Sequence, residues 1–242
     1  MTRRAVLSDI HGNLEALDAV LADVATQAPE AIVCLGDFVG YGASPNECIT
    51  RLRPRIEAAV LGNHDVAALG RLKLGGFNSD AATSARWTQT ELADEHRAWL
   101  DALPFTLLWR GLRIVHATPS EPEEWNYVLS IQDAEYEFDA FEESLCLIGH
   151  SHVPGQFTLD GQGTTYARRA RVDLAPGPRR IINVGSVGQP RDGDPRAAWA
   201  LLDPKAGWLE HRRVEYDIEA AAARITAAGL PSFLAERLRW GE

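Results

Sequence analysis

Along the first sixty residues, short apolar runs alternate with stretches in which apolar residues recur at helical spacing. Residues 4–8 read as a strand. In residues 14–24, Leu14, Leu17, Val20, Leu21 and Val24 fall on one helical face, with Asn13 placed to cap the helix. Residues 31–35 form the next apolar run. A strand, a helix and a second strand at this spacing are the signature of a parallel pair joined by a right-handed crossover. The pattern repeats once more, with 45–53 helical and 57–61 a strand that ends in Gly62.

Between residues 65 and 105 the pattern turns helical, with Asn78 or Ser79 as the cap and Leu92, Trp99 and Leu103 on the core side. Strands are predicted at 105–109 and 112–115. Arg110-Gly111 forms their two-residue turn, although Asn-Gly would suit a type I′ turn better. An acidic segment, 121–143, carries Trp125, Tyr127 and Tyr136 and precedes a strand at 145–148. Further strands are expected at 155–159, 164–170, 180–184, 197–202 and 208–216, and two short helices at 218–228 and 231–240. So many strands exceed one sheet. The predicted fold class is therefore α/β, two packed mixed β-sheets flanked by helices. The chain is long enough for one large core, so residues 1–242 are read as a single domain.

With 45% hydrophobic and 24% charged residues, the chain has the balance of a soluble globular protein, and no apolar run approaches the ~20 residues of a membrane helix. Arg3 and Arg4 are followed by only three apolar residues before Ser8 and Asp9, too few for a signal peptide, so the mature chain is expected to start at or near Met1. Cys34, Cys48 and Cys146 cannot all pair and show no metal-binding spacing, which fits a cytoplasmic location. The formal net charge of -10 argues against duplex DNA or another polyanion as partner. A local exception is the basic segment 168–180, read as a solvated hairpin. Small phosphorylated substrates are not excluded, because bound cations would reverse the field at a site.

The candidate chemistry lies where five apolar runs end: Asp9 and His11, Asp37, Asn63 and His64, His116, and His150 and His152. Open α/β sheets build their sites at such strand ends. Five of the seven histidines fall there; His96 and His211 do not. Asp37 has two oxygens to share between two cations, and Asn63 can offer its amide oxygen.

The ordered set Asp9-Ile10-His11, Gly36-Asp37, Gly62-Asn63-His64-Asp65, His116 and Gly149-His150-Ser151-His152 resembles the calcineurin-like metallophosphoesterase superfamily, and most of all its small bacterial and archaeal phosphodiesterase branch. Residues 183–191 resemble that branch's Asn-x-Gly-Ser-x-Gly segment. The resemblance implies a four-layer α/β/β/α sandwich and two metal ions per chain. Asp9, His11, Asp37 and His152 would hold one, and Asp37, Asn63, His116 and His150 the other, with His64 free to act on the substrate. Four imidazoles disfavour Mg²⁺; Mn²⁺ is the first expectation, and Fe, Zn²⁺, Ni²⁺ and Co²⁺ also suit the donors. Where the Ser/Thr protein phosphatase branch carries Asp and Arg after the bridging aspartate, this chain has Gly36-Asp37-Phe38-Val39-Gly40-Tyr41-Gly42, so protein phosphatase activity is not expected. The group that orients His64 is then open, with Asp65 as a candidate. Ala117 replaces a glycine common in relatives, which weakens the case for a substrate contact at Thr118.

The expected function is a phosphodiesterase or phosphomonoesterase acting on small, including nucleotide, substrates through a hydroxide bridging two metals, with His64 as general acid. A non-catalytic scaffold and a nuclease on the same fold are the alternatives. Asn13 and Arg191 are candidate substrate contacts, weighed against a helix cap for Asn13 and an ion pair with Asp192 or Asp194 for Arg191. Metal identity, physiological substrate and oligomeric state are left open.

Overall fold

The structure, a computed structural model, describes residues 2–242. Strands β1 (Arg4–Leu7), β2 (Ala31–Cys34) and β3 (Ile56–Ala59) are parallel neighbours. Helices α1 (Leu14–Gln27) and α2 (Pro45–Leu52) connect them, as the apolar spacing predicts. Asn13 caps α1, its side-chain oxygen accepting from the Ala16 N–H at 3.1 Å. Strands β11 (Ala197–Asp203), β12 (Trp208–Val214) and β9 (Arg171–Asp173) complete a six-stranded mixed sheet in the order β3-β2-β1-β11-β12-β9.

The second sheet contains β4 (Thr106–Trp109), β5 (Leu112–Val115), β6 (Leu145–Ile148), β10 (Arg179–Asn183), β7 (Gly155–Asp160) and β8 (Gly163–Ala167), in the order β4-β5-β6-β10-β7-β8. Arg110 and Gly111 both adopt positive φ, the type I′ backbone that matches strand twist, with arginine in a place glycine or asparagine would take more readily.

Side-chain alternation explains the layers. Val6 and Val33 of the first sheet pack in one cluster with Ile114, Leu147 and Ile182 of the second, forming the inter-sheet core. Their neighbours Ala5, Leu7, Ile32 and Cys34 face the α1 side chains Leu17 and Val20. On the outer face of the second sheet, Val115, Cys146, Ile148 and Ile181 meet Ala134 and Phe138 of α6 (Ile131–Phe138). Strands buried on both faces are the reason these runs read as continuously apolar. All three cysteines are buried and unpaired.

Three expectations change. Residues 63–68 form a helix, α3 (Asn63–Ala68), so Asn63 and His64 lie on its first turn. The strand expected at 164–170 is shorter, β8 ending at Ala167, and an unexpected strand, β9, follows it in the other sheet, where Val172 is buried between exposed Arg171 and Asp173. Residues 168–180 therefore form no hairpin, and β9 and β10 belong to different sheets. Residues 65–105 are mainly helical, with α4 (Ser79–Glu91) and α5 (Asp94–Asp101), and the closing helices are α7 (Ile218–Ala227) and α8 (Ser232–Glu236), the latter continued by a 3₁₀ turn at Arg237–Arg239. Among the described residues, no helix is long and apolar enough to cross a membrane.

Candidate metal centre

Loops leaving the C-terminal ends of six strands are tied to one another by backbone hydrogen bonds. Asp9 and His11 donate N–H to the carbonyls of Gly36 and Asp37, each at 3.0 Å. Gly149 donates to His116 at 2.9 Å, and Gly188 to Asp9 at 2.9 Å. Close approach requires missing side chains: a Cβ at Gly62 would overlap the Asp37 carboxylate, and one at Gly149 would overlap Ser8 and Asp9. The backbone itself is contorted. Asp9, His11, Asp37, His150 and His152 all adopt φ between 50° and 65°. Each such L-residue costs about 1–2 kcal/mol.

Asp9 and Asp37 each have one oxygen held by the backbone and one turned toward imidazoles. Asp9 Oδ2 accepts the His150 N–H at 3.1 Å, while Oδ1 has no hydrogen-bond partner and lies 3.2 Å from His152 Nε2 and 3.7 Å from His11 Nε2. Asp37 Oδ1 accepts the His64 N–H at 2.8 Å, and Oδ2 lies 3.3 Å from His116 Nε2 and 3.5 Å from His11 Nε2. Burial alone would raise both carboxyl pKa values. The surrounding imidazoles, His152 and His116 for Asp9 and His116 and His64 for Asp37, outweigh it, so both are held below the usual range and remain carboxylates.

The imidazoles are oriented from behind. Nδ1 faces a backbone carbonyl in His11 (Val39, 3.1 Å), His116 (Leu35, 2.7 Å) and His152 (Gln189, 2.5 Å). A carbonyl only accepts, so Nδ1 carries a proton in all three, and whenever the ring is neutral its lone pair is on Nε2. His150 is reversed: its Nε2 faces the Trp125 carbonyl at 2.8 Å, leaving Nδ1. Burial drives His150 down to about 4, aided by His116, and drives His152 down to about 3, aided by Arg191, which keeps both neutral. Burial also opposes charge on His116, but Asp37 and Asp9 carry it up to about 9, so ligation at its Nε2 requires loss of a proton.

These donors fit divalent cations. His11 Nε2 and His152 Nε2 stand 3.1 Å apart, and with both Nδ1 atoms protonated the two lone pairs face each other. Two ligand atoms bonded to one ion at about 2.0–2.2 Å lie roughly 3.0–3.5 Å apart, the range in which most of these separations fall. Asp9 Oδ1, Asn63 Oδ1 and His116 Nε2 are buried without hydrogen-bond partners, as ligands awaiting an ion would be. Among the described residues, donor atoms converge in three groups: Asp9, His11 and His152; His11, Asp37 and His64; and Asp9, Asp37 and His116. His150 stands outside these triplets, its ring centroid 5.1 Å from that of His116.

Asp65 does not orient His64. Its carboxylate accepts N–H bonds from Gly62 (3.0 Å), Asp37 (2.8 Å), Phe38 (2.8 Å) and Val39 (3.3 Å), pinning the Asp37 loop to the start of α3. The His64 ring is instead packed among Tyr41, His11 and Phe77, at centroid distances of 4.3, 4.9 and 4.9 Å. Its Nδ1 has no partner. Burial, reinforced by His11 and Arg191 against Asp37, lowers its pKa well below the ordinary value.

The group opens into a cavity of about 360 Å³ whose lining includes Asp37, Asn63, His64, His150, His152, Tyr41, Trp125, Tyr127 and Arg191. Asn13 is not in that lining; its amide caps α1 and donates to the Gly188 carbonyl at 2.8 Å. Thr118 is likewise absent, with its hydroxyl turned to the Glu121 carbonyl. Trp125 and Tyr127 bring the aromatic part of the 121–143 segment to the wall of the site. Trp125 supplies the carbonyl behind His150, and Tyr127 stacks on that ring at 4.1 Å.

Residues 3–207 match the family model of the calcineurin-like phosphoesterase superfamily domain. An uncharacterised protein of Methanocaldococcus jannaschii is 40% identical over 242 residues, covering 98% of this chain and 97% of its own. The crystal structure of a metallophosphoesterase from Sphaerobacter thermophilus superposes with a TM-score of 0.87 at 39% identity, over 99% of both chains. A hypothetical protein from Pyrococcus horikoshii shares the fold, with a TM-score of 0.80 at 22% identity, over 100% of this chain and 99% of that one.

Proposed function

The chain belongs to the calcineurin-like phosphoesterase superfamily, and from that premise we propose that it is a metal-dependent hydrolase of small phosphoesters with a dinuclear centre. The observation that carries the reading is the convergence of buried, unpartnered donors, above all the facing Nε2 atoms of His11 and His152. Asp9, His11, Asp37 and His152 would hold one cation, and Asp37, Asn63, His116 and His150 the other. The mixed imidazole and oxygen set suits Mn²⁺ first, with Fe, Zn²⁺, Ni²⁺ and Co²⁺ as further candidates. Two divalent cations, when bound, supply Lewis acidity toward the phosphoryl oxygens and lower the pKa of an attacking water.

The chain's own residues do the rest. Asp9 and Asp37 stay ionised and His150 and His152 neutral, the protonation states that ligands need. His64 lines the same cavity, its ring held by packing against Tyr41, and delivers a proton to the departing oxygen. Its low pKa in the metal-free site means that the proton must be taken up with the substrate, whose negative charge offsets the cost. The substrate is a small phosphorylated molecule, a monoester or diester, entering through the cavity beside Tyr41 and Trp125.

The test combines metal analysis with turnover of p-nitrophenyl phosphate, bis-p-nitrophenyl phosphate, cyclic nucleotides and dinucleoside polyphosphates in the presence of Mn²⁺. We expect about two metal equivalents per chain. His64→Ala should lower kcat by about 10²–10⁴-fold while metal content stays at the wild-type level. No metal and no turnover on any substrate would leave the scaffold reading in its place. Loss of metal in His64→Ala would make His64 a ligand instead.

A further inference from the structure

The acidic surface of this chain is interrupted at the mouth of the cavity. Lys73, Arg191 and Arg237 all line it, drawn from three separate segments, against one carboxylate, Glu124, besides the candidate ligand Asp37. The arginines are not neutralised by the acids next to them. Asp192 pairs with Arg213, and Asp194 pairs with Arg196 at 2.7 Å, so the ion pair expected for Arg191 does not form. Arg191 instead donates to the neutral Gln189 side chain at 2.8 Å and lies over the Tyr41 ring at 5.5 Å, with its Nε buried and unpartnered. Arg237 donates to the main-chain oxygen of Glu242, the last residue of the sequence, and lies over Phe233 at 5.2 Å. Burial, and next the charge of Arg191, lower the Arg237 pKa, so the two guanidiniums repel across the opening. Among the described residues, no Asp or Glu side chain forms an ion pair with Lys73, Arg191 or Arg237.

Cations gathered in one cleft and not paired with side-chain carboxylates focus a positive field that favours an anionic ligand. Arginine supplies planar, paired donors that match phosphate oxygens. Tyr41 ties this rim to the reacting centre: its ring contacts His64 and His11 at 4.3 and 4.6 Å, and Arg191 lies over the same ring.

We infer that Arg191 and Arg237, with Lys73 beside them, form a second anion subsite, and that the substrate carries a further phosphate group in addition to the one that is hydrolysed. The inference rests on the hydrolase reading for the word substrate, but the subsite is defined by binding alone. It selects doubly phosphorylated molecules, whether the second phosphate is linked through an anhydride or through another position of the same molecule.

Calorimetric titration of the Mn²⁺-loaded protein with propane-1,3-bisphosphonate and with propylphosphonate tests this, since neither P–C bond can be hydrolysed. The bisphosphonate should bind about tenfold more tightly or better, with a preference that shrinks as salt rises. Arg191→Gln and Arg237→Gln should each reduce the preference by at least about threefold, the double variant should remove it, and Arg→Lys at either position should restore part of it. Melting curves establish that the variants fold, and the lysine variants serve as the readout if a glutamine variant does not. Equal affinity of the two phosphonates for the wild-type protein, or a preference that survives in the double variant, overturns the subsite. Turnover of the ester panel without a bisphosphonate preference sinks the subsite and keeps the hydrolase. A preference without turnover upholds the subsite and sinks the hydrolase.

Discussion

Strands β1, β2 and β3 are each four residues long, and their two ends treat buried charge in opposite ways. At the N-terminal end, Arg4 is 2% exposed, and its guanidinium donates to Glu57 at 2.6 Å, Glu30 at 2.7 Å, and the Thr2 hydroxyl at 2.6 Å. Arg110 closes the other Glu57 oxygen at 2.6 Å. At the C-terminal end, Asp9, Asn63, His64 and His116 each keep a buried polar atom with no partner, and five surrounding residues hold left-handed backbone. One end is closed by the protein itself. The other is built so that closure comes from outside, which is how a small rigid sheet can hold a site that would destabilise it if left unfilled.

The largest test of that contrast is Asp37→Asn. The amide oxygen can still accept the His64 N–H, so the loop keeps its anchor, but the charge shared by His11 and His116 disappears. We expect kcat/KM on an aryl phosphoester to fall by about 10³-fold or more. Added Mn²⁺ should raise the melting temperature of the wild-type protein by mass action, a stabilisation of about 2.7 kcal/mol at a hundredfold excess over Kd. The variant should show a much smaller rise. Equal metal-induced stabilisation in both proteins would mean that Asp37 holds no cation, and the open end would lose its explanation.

The open end was more legible in the chain than the closed one. Asp9, His11, Asp37, His150 and His152 each lie within four residues of the end of an apolar run, so their residue types announce themselves locally. The three-dimensional choices were not readable. Arg191 has two aspartates within three residues, and only the fold shows that Arg213 and Arg196 take them. β9 went unseen because no glycine or proline separates it from β8 in residues 163–173. For Asp65 a signal was present: as the third residue of a helix that begins at Asn63, it is placed to reach back to the preceding N–H groups, the role it takes. Left-handed φ at aspartate and histidine has no local signature beyond the neighbouring glycines, because it is imposed by the loops packed around it.

A medium effect is expected at the closed end. Arg4→Ala leaves Glu57 and Glu30 without their shared guanidinium and opens a buried space beneath Leu202, with which Arg4 is in register. Both glutamates are partly exposed, so water takes over part of the lost interaction, and we expect about 1–3 kcal/mol of destabilisation in urea unfolding. The Mn²⁺-induced rise in melting temperature and the kcat should match the wild type. A fall in kcat at full metal loading would show that the two ends are coupled and that the separation drawn between them is wrong.

The smallest effect is one of pH. Desolvation raises the pKa of Glu57, but its bonds to Arg110 and Arg4 outweigh this and hold the carboxyl below the usual value. A carboxyl with a lowered folded-state pKa adds stability above its unfolded pKa of about 4.3 and loses it as pH falls through the folded value. Glu57→Gln should therefore be less stable than wild type near neutrality, by less than about 1 kcal/mol because the group is solvent-accessible. The gap should stay constant down to about pH 5 and close below about pH 4.3, where the wild-type carboxyl takes up its proton. Urea unfolding of both proteins across this range reads the difference directly. A gap that widens on acidification would reverse the sign and remove Glu57 from the ion pairs that close this end of the sheet.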